Sequence, residues 1–383
     1  MDKTQNRKPI KVLNITEEGR GGGPLSRIAN IAEFIHDEIN TTVVLPQENS
    51  ENFVELLQKK NIPYTQLRLH RLTKDPAHLL RYIIFFPYEI FLLWKLITRE
   101  KIDIVHCNAA WQFKGIIACY FTKASSIWHL NDSKASRLVA ILFRWVSTLA
   151  DGFIFASERT KMYYSQRSPA SKRKFSVIMQ APVDMARFSS SFKATSSGKI
   201  KIITTGYINH NKGFHHLIEA FISLGYHKRQ DVELSIVGTT FANQQPYKDS
   251  LLHLLQAHNV QNIHFLGFRN DIPQLLADSS LYVCCSSFEA SPISVWEALA
   301  TGVPVVSTDV GDVKKIFTQY NYGSVVTIED SDALAEEIHR TLMDKDLIHR
   351  MKQLGPEIAE NTFSRSKIAS QHIEIYQALY NNK

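Results

Sequence analysis

Two glutamates with seven residues between them open the chemical reading of this 383-residue sequence. Glu289 and Glu297 lie in LYVCCSSFEASPISVWEALATGVPVVSTDVGD, which begins at Leu281. A strand is expected to end near Cys285, a loop to carry Glu289, and a helix to run from about Pro292 to a C-cap at Gly302. Glu289 then sits at a strand's carboxyl end and Glu297 one turn into the helix. Between them fall the backbone N–H groups of Ile293 and Ser294, which lack intrahelical partners in a first turn and favour a bound phosphate. One carboxylate can accept sugar hydroxyls and the other ribose hydroxyls, with phosphates between. Two glutamates near a helix start are commonplace, so this spacing gains meaning only from its surroundings.

A second pattern that could meet an anion follows the first strand, in EGRGGGPLSRIANIAEFI. Gly21, Gly22 and Gly23 let backbone amides approach closely, and the helix from about Leu25 points its N-terminus at the same place. A dinucleotide fingerprint fails here, because Pro24 occupies the third glycine position and TTVVLP ends without the acidic residue that holds a ribose. An oxidoreductase is thereby set aside. Two histidines also stand near the ends of strand-like runs, His129 in SSIWHL and His106 in IDIVHCN.

The elements that must position these residues are legible from periodicity. Apolar, β-branched runs at residues 10–15, 41–45, 102–107, 126–130, 152–156 and 175–179 alternate with segments long enough for helices. After a Ser/Lys/Gly-rich stretch, 189–198, the pattern restarts at 200–204, 232–237, 263–266, 281–285, 303–307 and 324–328. Buried parallel strands with helical crossovers read this way, so the fold class is α/β with two Rossmann-like, doubly wound domains facing a central cleft. The expected domains are residues 1–190 and 191–362, with a final helix at 363–383.

Composition fixes the setting. Hydrophobic residues at 44% and charged residues at 21% describe a folded chain rather than a disordered or collagen-like one. Cys107, Cys119, Cys284 and Cys285 form no CxxC pair, so neither a zinc site nor a disulfide framework is expected. The polar N-terminus leads into no signal-like apolar core, which suggests a cytoplasmic protein, at most peripheral on the inner face of the membrane. Through Ser190 there are 27 Lys and Arg against 17 Asp and Glu, whereas the remainder is slightly acidic. The basic half calls for an anionic partner such as a membrane surface. Nucleic acid is not expected, since no zinc-finger spacing or aromatic RNA-binding motif is present. LLRYIIFFPYEIFLLWKLI, from Leu79 to Ile97, has spanning length but is interrupted by Arg81, Glu89 and Lys95, with Pro87 expected to kink it. It reads as a helix packed on the sheet or lying in a membrane interface.

At Glu289 and Glu297, followed by EALATGVPVVSTDVG, the chain resembles the retaining glycosyltransferases of family 4, which have the GT-B fold. GYINHNKGFHHLIEAF, from Gly206 to Phe221, is similar to that family's second-domain opening loop, and FLGFRNDIPQLLADSSLYV to its run-in to the glutamates. The resemblance covers the second domain nearly throughout and the first at scattered points. It implies sugar transfer, with retention, from a nucleotide diphosphate sugar: Glu297 on the ribose, Glu289 on the transferred sugar, the amides of Ile293 and Ser294 on the diphosphate. Lys212 would neutralise the leaving phosphate, so neither a cofactor nor a metal is expected. The resemblance also implies that Gly22 and Gly23 lie beside the donor phosphates, that Gly206 opens the donor loop and that His129 contacts the donor sugar. Many members carry an arginine where this chain has Tyr207; another cation such as Arg20 or Arg269 is expected to compensate, the alternatives being weaker donor binding or poor catalysis. The basic first domain and its aromatic helix suit a glycan acceptor that is lipid-linked or membrane-proximal, as in surface polysaccharide assembly. The alternatives are another GT-B enzyme, a phosphorylase or epimerase, and a non-catalytic nucleotide-sugar binder.

Overall fold

A computed structural model describes residues 8–20, 22–73, 75–132, 134–188 and 198–381. Gly21 and most of the Ser/Lys/Gly-rich stretch 189–198 lie outside the described residues. The chain forms two compact units, one extending to Ala181 and resuming at Arg365, the other running from Pro182 to Ser364.

In the first unit the order is β1 (Ile10–Ile15), α1 (Gly23–Phe34), β2 (Ile39–Pro46), α2 (Glu51–Lys59), β3 (Tyr64–Leu67), α3 (Pro76–Glu100), β4 (Ile104–Asn108), α4 (Phe113–Tyr120), β5 (Ser125–Leu130), α5 (Arg137–Val146), β6 (Gly152–Phe155), α6 (Glu158–Ser165), α7 (Pro169–Arg173) and β7 (Phe175–Ile178). The strands make one parallel sheet ordered β3-β2-β1-β4-β5-β6-β7. Side chains alternate across it. Val12, Ile104, Ile127 and Ile154 face one layer of core, and Leu13, Val105, Trp128 and Phe153 the other. Strands covered on both faces carry unbroken apolar runs, which is why they were visible in the sequence. The edge strand β3, YTQL, is only partly covered and has no such run.

The second unit contains β8 (Ile200–Thr205), α8 (Phe214–Ser223), β9 (Val232–Val237), α9 (Gln245–Ala257), β10 (Ile263–Gly267), α10 (Ile272–Ala277), β11 (Leu281–Cys284), α11 (Ile293–Thr301), β12 (Val305–Thr308), α12 (Val313–Gln319), β13 (Val325–Val326), α13 (Ser331–Met343) and α14 (Lys345–Phe363). Its parallel sheet is ordered β10-β9-β8-β11-β12-β13, so each strand order reverses at the unit's first strand. The unit begins earlier than residue 190 because Val183 and Phe188 belong to its core and Val183 bridges to Ser364. The last helix, α15 (Arg365–Asn381), belongs to the first unit, packing Ile368, Ile375 and Tyr376 against Val12 and Ile104.

Helix α3 runs uninterrupted through Pro87. Among the described residues no helix is long and apolar enough to cross a membrane.

Candidate active site

The site in the second unit is built where β8 and β11 end. Gly206, directly after β8, has φ +147°, and a Cβ there would stand 2.7 Å from Lys212 Cε; glycine lets the lysine stem lie over the strand end. Lys212 closes a short 3-10 turn in which its N–H donates to the Asn209 side chain at 3.3 Å. Gly213 follows at φ +63°, and a Cβ there would meet the Cys285 carbonyl oxygen at 2.1 Å. The loops after β8 and β11 are therefore in direct backbone contact. Ser287 N–H donates to Asn211 O at 2.8 Å, and the Cys285 thiol lies 3.1 Å from Lys212 O.

That contact brings Lys212 to Glu289, with Nζ 2.6 Å from Oε1. The Ser286 hydroxyl donates to the same oxygen at 3.2 Å, and Thr308 Oγ1 donates to Ser286 O at 2.6 Å. Burial works against the lysine's charge, but the Glu289 carboxylate outweighs it and the Lys212 pKa is raised. The ammonium stays charged, with one donor direction taken by Glu289 and others left for a ligand.

Helix α11 starts immediately after. Its N-cap, Pro292, offers no side-chain cap, and the first N–H to bond back is that of Val295, to Pro292 O at 2.9 Å. The amides of Ile293 and Ser294 have no backbone acceptor among the described residues. The Ser294 side chain hydrogen-bonds the buried Tyr282 hydroxyl, tying the helix start to β11. Glu297, half-buried one turn on, accepts no hydrogen bond among the described residues. Burial pushes its pKa up to about 7, against the lowering pull of Arg187 and Lys212. A carboxyl so placed gains a hydrogen-bonding role when a ligand brings hydroxyl donors.

Tyr207 is exposed and stacks on Phe241, ring centroids 4.6 Å apart. Both arginines named as compensating for the missing one are engaged in ion pairs. Arg269 is held by Asp271 at 2.8 and 2.5 Å, and Arg20, in the first unit, by Glu18 at 2.8 Å. Arg187 adds its charge to that of Lys212 at Glu297 and was not singled out from the sequence; nothing in local spacing links it to Glu297, 110 positions away.

In the first unit Gly22 is the N-cap of α1 at φ +113°, with nothing within 4 Å of where a Cβ would be, and Gly23 is the first helical residue. One turn further Arg27 turns inward. Its guanidinium packs against His129 and donates to Asn108 Oδ1 at 2.5 Å. Asn108 in turn donates to Asn14 Oδ1 at 2.5 Å. His129, which the resemblance implies contacts the donor sugar, is buried, 1% exposed, beneath Arg27 and stacked on His106 at 5.3 Å. His106 bonds to the Tyr376 hydroxyl at 2.7 Å and stacks on His372, both on α15. Burial holds all three imidazoles neutral: His106 and His129 titrate well below the ordinary histidine range, and His372 at about 4. Burial also lowers Arg27, to about 10, so it remains charged. Arg27 was missed because its helix reads as ordinary amphipathic helix; its signal is a charge inside the apolar stripe of Leu25, Ile28 and Ala29.

A third cluster joins β1, α3 and α4. Lys114, fully buried, lies 2.9 Å from Glu17 and 2.5 Å from Glu89 and donates to His70 O at 2.6 Å. Burial raises Glu17 to about 7 despite Lys114, and Asp132, beside Ala110 N–H, to about 6. Among the described residues no group of three or more His, Cys, Asp or Glu is arranged to hold a metal ion.

Two doubly wound parallel-sheet units with a cation, two carboxylates and an open helix start in the second define a GT-B protein. The family model for glycosyl transferases group 1 matches residues 187–357, and that for glycosyltransferase family 4 matches residues 21–181. The chain belongs to the family 4 glycosyltransferases. It is 26% identical over 194 residues to N-acetyl-alpha-D-glucosaminyl L-malate synthase of Bacillus anthracis, covering 50% of this chain and 49% of that protein. That match spans about half the length of the relative. A longer one, 22% identical over 77% of this chain and 80% of the relative, is to the UDP-Gal:alpha-D-GlcNAc-diphosphoundecaprenol alpha-1,3-galactosyltransferase of Escherichia coli. Among solved structures, HepE of Anabaena in complex with UDP superimposes with a TM-score of 0.80 at 21% identity, covering 96% of this chain and 100% of that one. A glycosyltransferase from Rickettsia africae does so with a TM-score of 0.83 at 17% identity, covering 98% and 100%.

Proposed function

We propose that the protein transfers a sugar, with retention, from a nucleoside diphosphate sugar held by the second unit to a lipid-linked glycan acceptor at the cytoplasmic face of a membrane. The observation that carries this reading is the 2.6 Å Lys212–Glu289 pair beside the unpartnered amides of Ile293 and Ser294. The amides and Lys212 take the diphosphate, Glu297 takes the ribose hydroxyls, and Glu289, oriented by Lys212 and Ser286, takes hydroxyls of the sugar. As the bond from the anomeric carbon to the phosphate oxygen breaks, negative charge grows on the diphosphate, where Lys212 and the helix N-terminus oppose it. The acceptor oxygen bonds to the anomeric carbon on the same face and its proton passes to the departing phosphate oxygen. That charge arrangement predicts turnover without a divalent metal. Solution of HepE with UDP makes UDP-sugars the first donors to try, and the diphosphoundecaprenol acceptor of the E. coli relative supports a lipid-linked acceptor. The test is to incubate the protein with UDP-, GDP- and ADP-sugars in the presence of EDTA and polyprenyl-diphosphate sugars, and to read the anomeric configuration of the product by NMR. A retained anomer is expected. An inverted one, phosphate-dependent release of the sugar, or donor isomerisation without an acceptor would each overturn the reading.

A further inference from the structure

Helix α3 has two unlike faces. Its inner face buries Tyr82, Glu89, Leu93, Leu96 and Ile97, and Glu89 is fixed there by Lys114 and the His70 N–H. The helix cannot roll to bury its other face without exposing that ionic cluster. The outer face carries Ile84, Tyr88, Phe91 and Trp94, spaced three and four apart, with Ile83 beside them, each 36 to 60% exposed. The patch does not stop with the helix. Trp94 Nε1 donates to the carbonyl of Phe121, which with Tyr120 is exposed at the end of α4. On α5, which packs next to α4, Ile141 and Trp145 are exposed, the latter 71%.

Charge says what covers this surface. Arg81 and Lys95 on α3, Lys123 after α4, and Arg137 and Arg144 on α5 are all exposed. Glu89, buried, and Glu100, paired with Arg99, are the acidic residues in α3, and α4 and α5 have none. A second copy of this chain would set these cations against themselves. Aromatic and aliphatic side chains interleaved with unopposed Lys and Arg are what an interfacial helix presents to anionic lipid headgroups.

We propose that α3, the end of α4 and α5 form one surface that lies in the plane of an anionic bilayer, with Phe91, Trp94, Phe121 and Trp145 reaching the acyl boundary. It rests on the proposed function only for what the membrane is for, the presentation of a lipid-linked acceptor.

The test uses the full chain and vesicles of phosphatidylcholine with and without phosphatidylglycerol as the anionic lipid. Sedimentation with the anionic vesicles is expected, with a blue shift of tryptophan emission that is reduced in Trp145→Phe. Arg81→Glu and Lys95→Glu, each a change of two charge units, should each weaken binding on the order of 30-fold at low salt, and Ile84→Ser with Phe91→Ser should abolish it. These side chains point outward, and an unchanged melting temperature in each variant confirms folding. No binding to anionic vesicles, binding indifferent to these variants, or a concentration-dependent dimer lost in Ile84→Ser with Phe91→Ser would overturn the proposal. Vesicle binding without any nucleotide-dependent stabilisation would leave the surface standing and remove the proposed function.

Discussion

Glu289 and Glu297 are alike as residues and unlike in place. Glu289 is neutralised by Lys212 at 2.6 Å, whereas Glu297 has only burial and the more distant charges of Arg187 and Lys212. Glu289→Gln should keep the nucleotide site and lose the sugar-orienting charge, lowering kcat by about 100-fold or more while leaving nucleotide binding within a few-fold; direct turnover and binding measurements check it. For Glu297 the sign follows from its raised pKa. Its contribution to stability is fully present below the ordinary carboxyl value of 4.5 and is lost as pH rises through about 7. Ribose hydroxyls bond best to the ionised form, so nucleotide affinity should rise from about pH 6 to about pH 8. Glu17 and Asp132 titrate in the same range, so the measurement is the difference between the parent and Glu297→Gln, in which the rise should flatten. The glutamates were legible in the sequence because motif spacing survives without a structure. Arg27 over His129 and Arg187 near Glu297 were not, because both depend on which distant elements the sheets bring together.

At the scale of elements, the site depends on two loops held in contact at their backbones. Gly213 and Gly225 both adopt left-handed φ, but a Cβ at Gly213 would collide with Cys285 O, whereas nothing stands within 4 Å at Gly225. Gly225→Ala should cost only the conformational term, roughly 1 kcal/mol. Gly213→Ala should lower the melting temperature further and, alone of the two, depress turnover, since it pushes the Lys212 loop from Glu289. Equal effects on turnover would show that the loop contact does not position the pair. Most strands were predicted within two residues of where they lie, because a parallel strand covered on both faces is a continuous apolar run. Strand β3 escaped, being a polar edge strand whose place is set by pairing with β2.

Across the whole molecule, the first unit is completed by the last helix in the chain. Ile368, Ile375, Tyr376 and Leu379 are buried with β1, β4, β5 and β6. At about 1.5–3 kcal/mol per buried large side chain, they are comparable to a domain's whole stability. Ending the chain after Ser364 should therefore leave amides of β1 and β4 exchanging freely with solvent while those of β8 and β11 stay protected, as hydrogen exchange would report. The central claim is the donor site of the second unit, and thermal stabilisation by UDP, GDP and ADP in metal-free buffer, on the parent and on Glu297→Ala, tests it most directly. The account predicts that one nucleotide raises the parent's melting temperature and that the shift is lost in the variant, because a ligand that binds only the native state must stabilise it. No shift with any nucleotide, or an equal shift in Glu297→Ala, would contradict it.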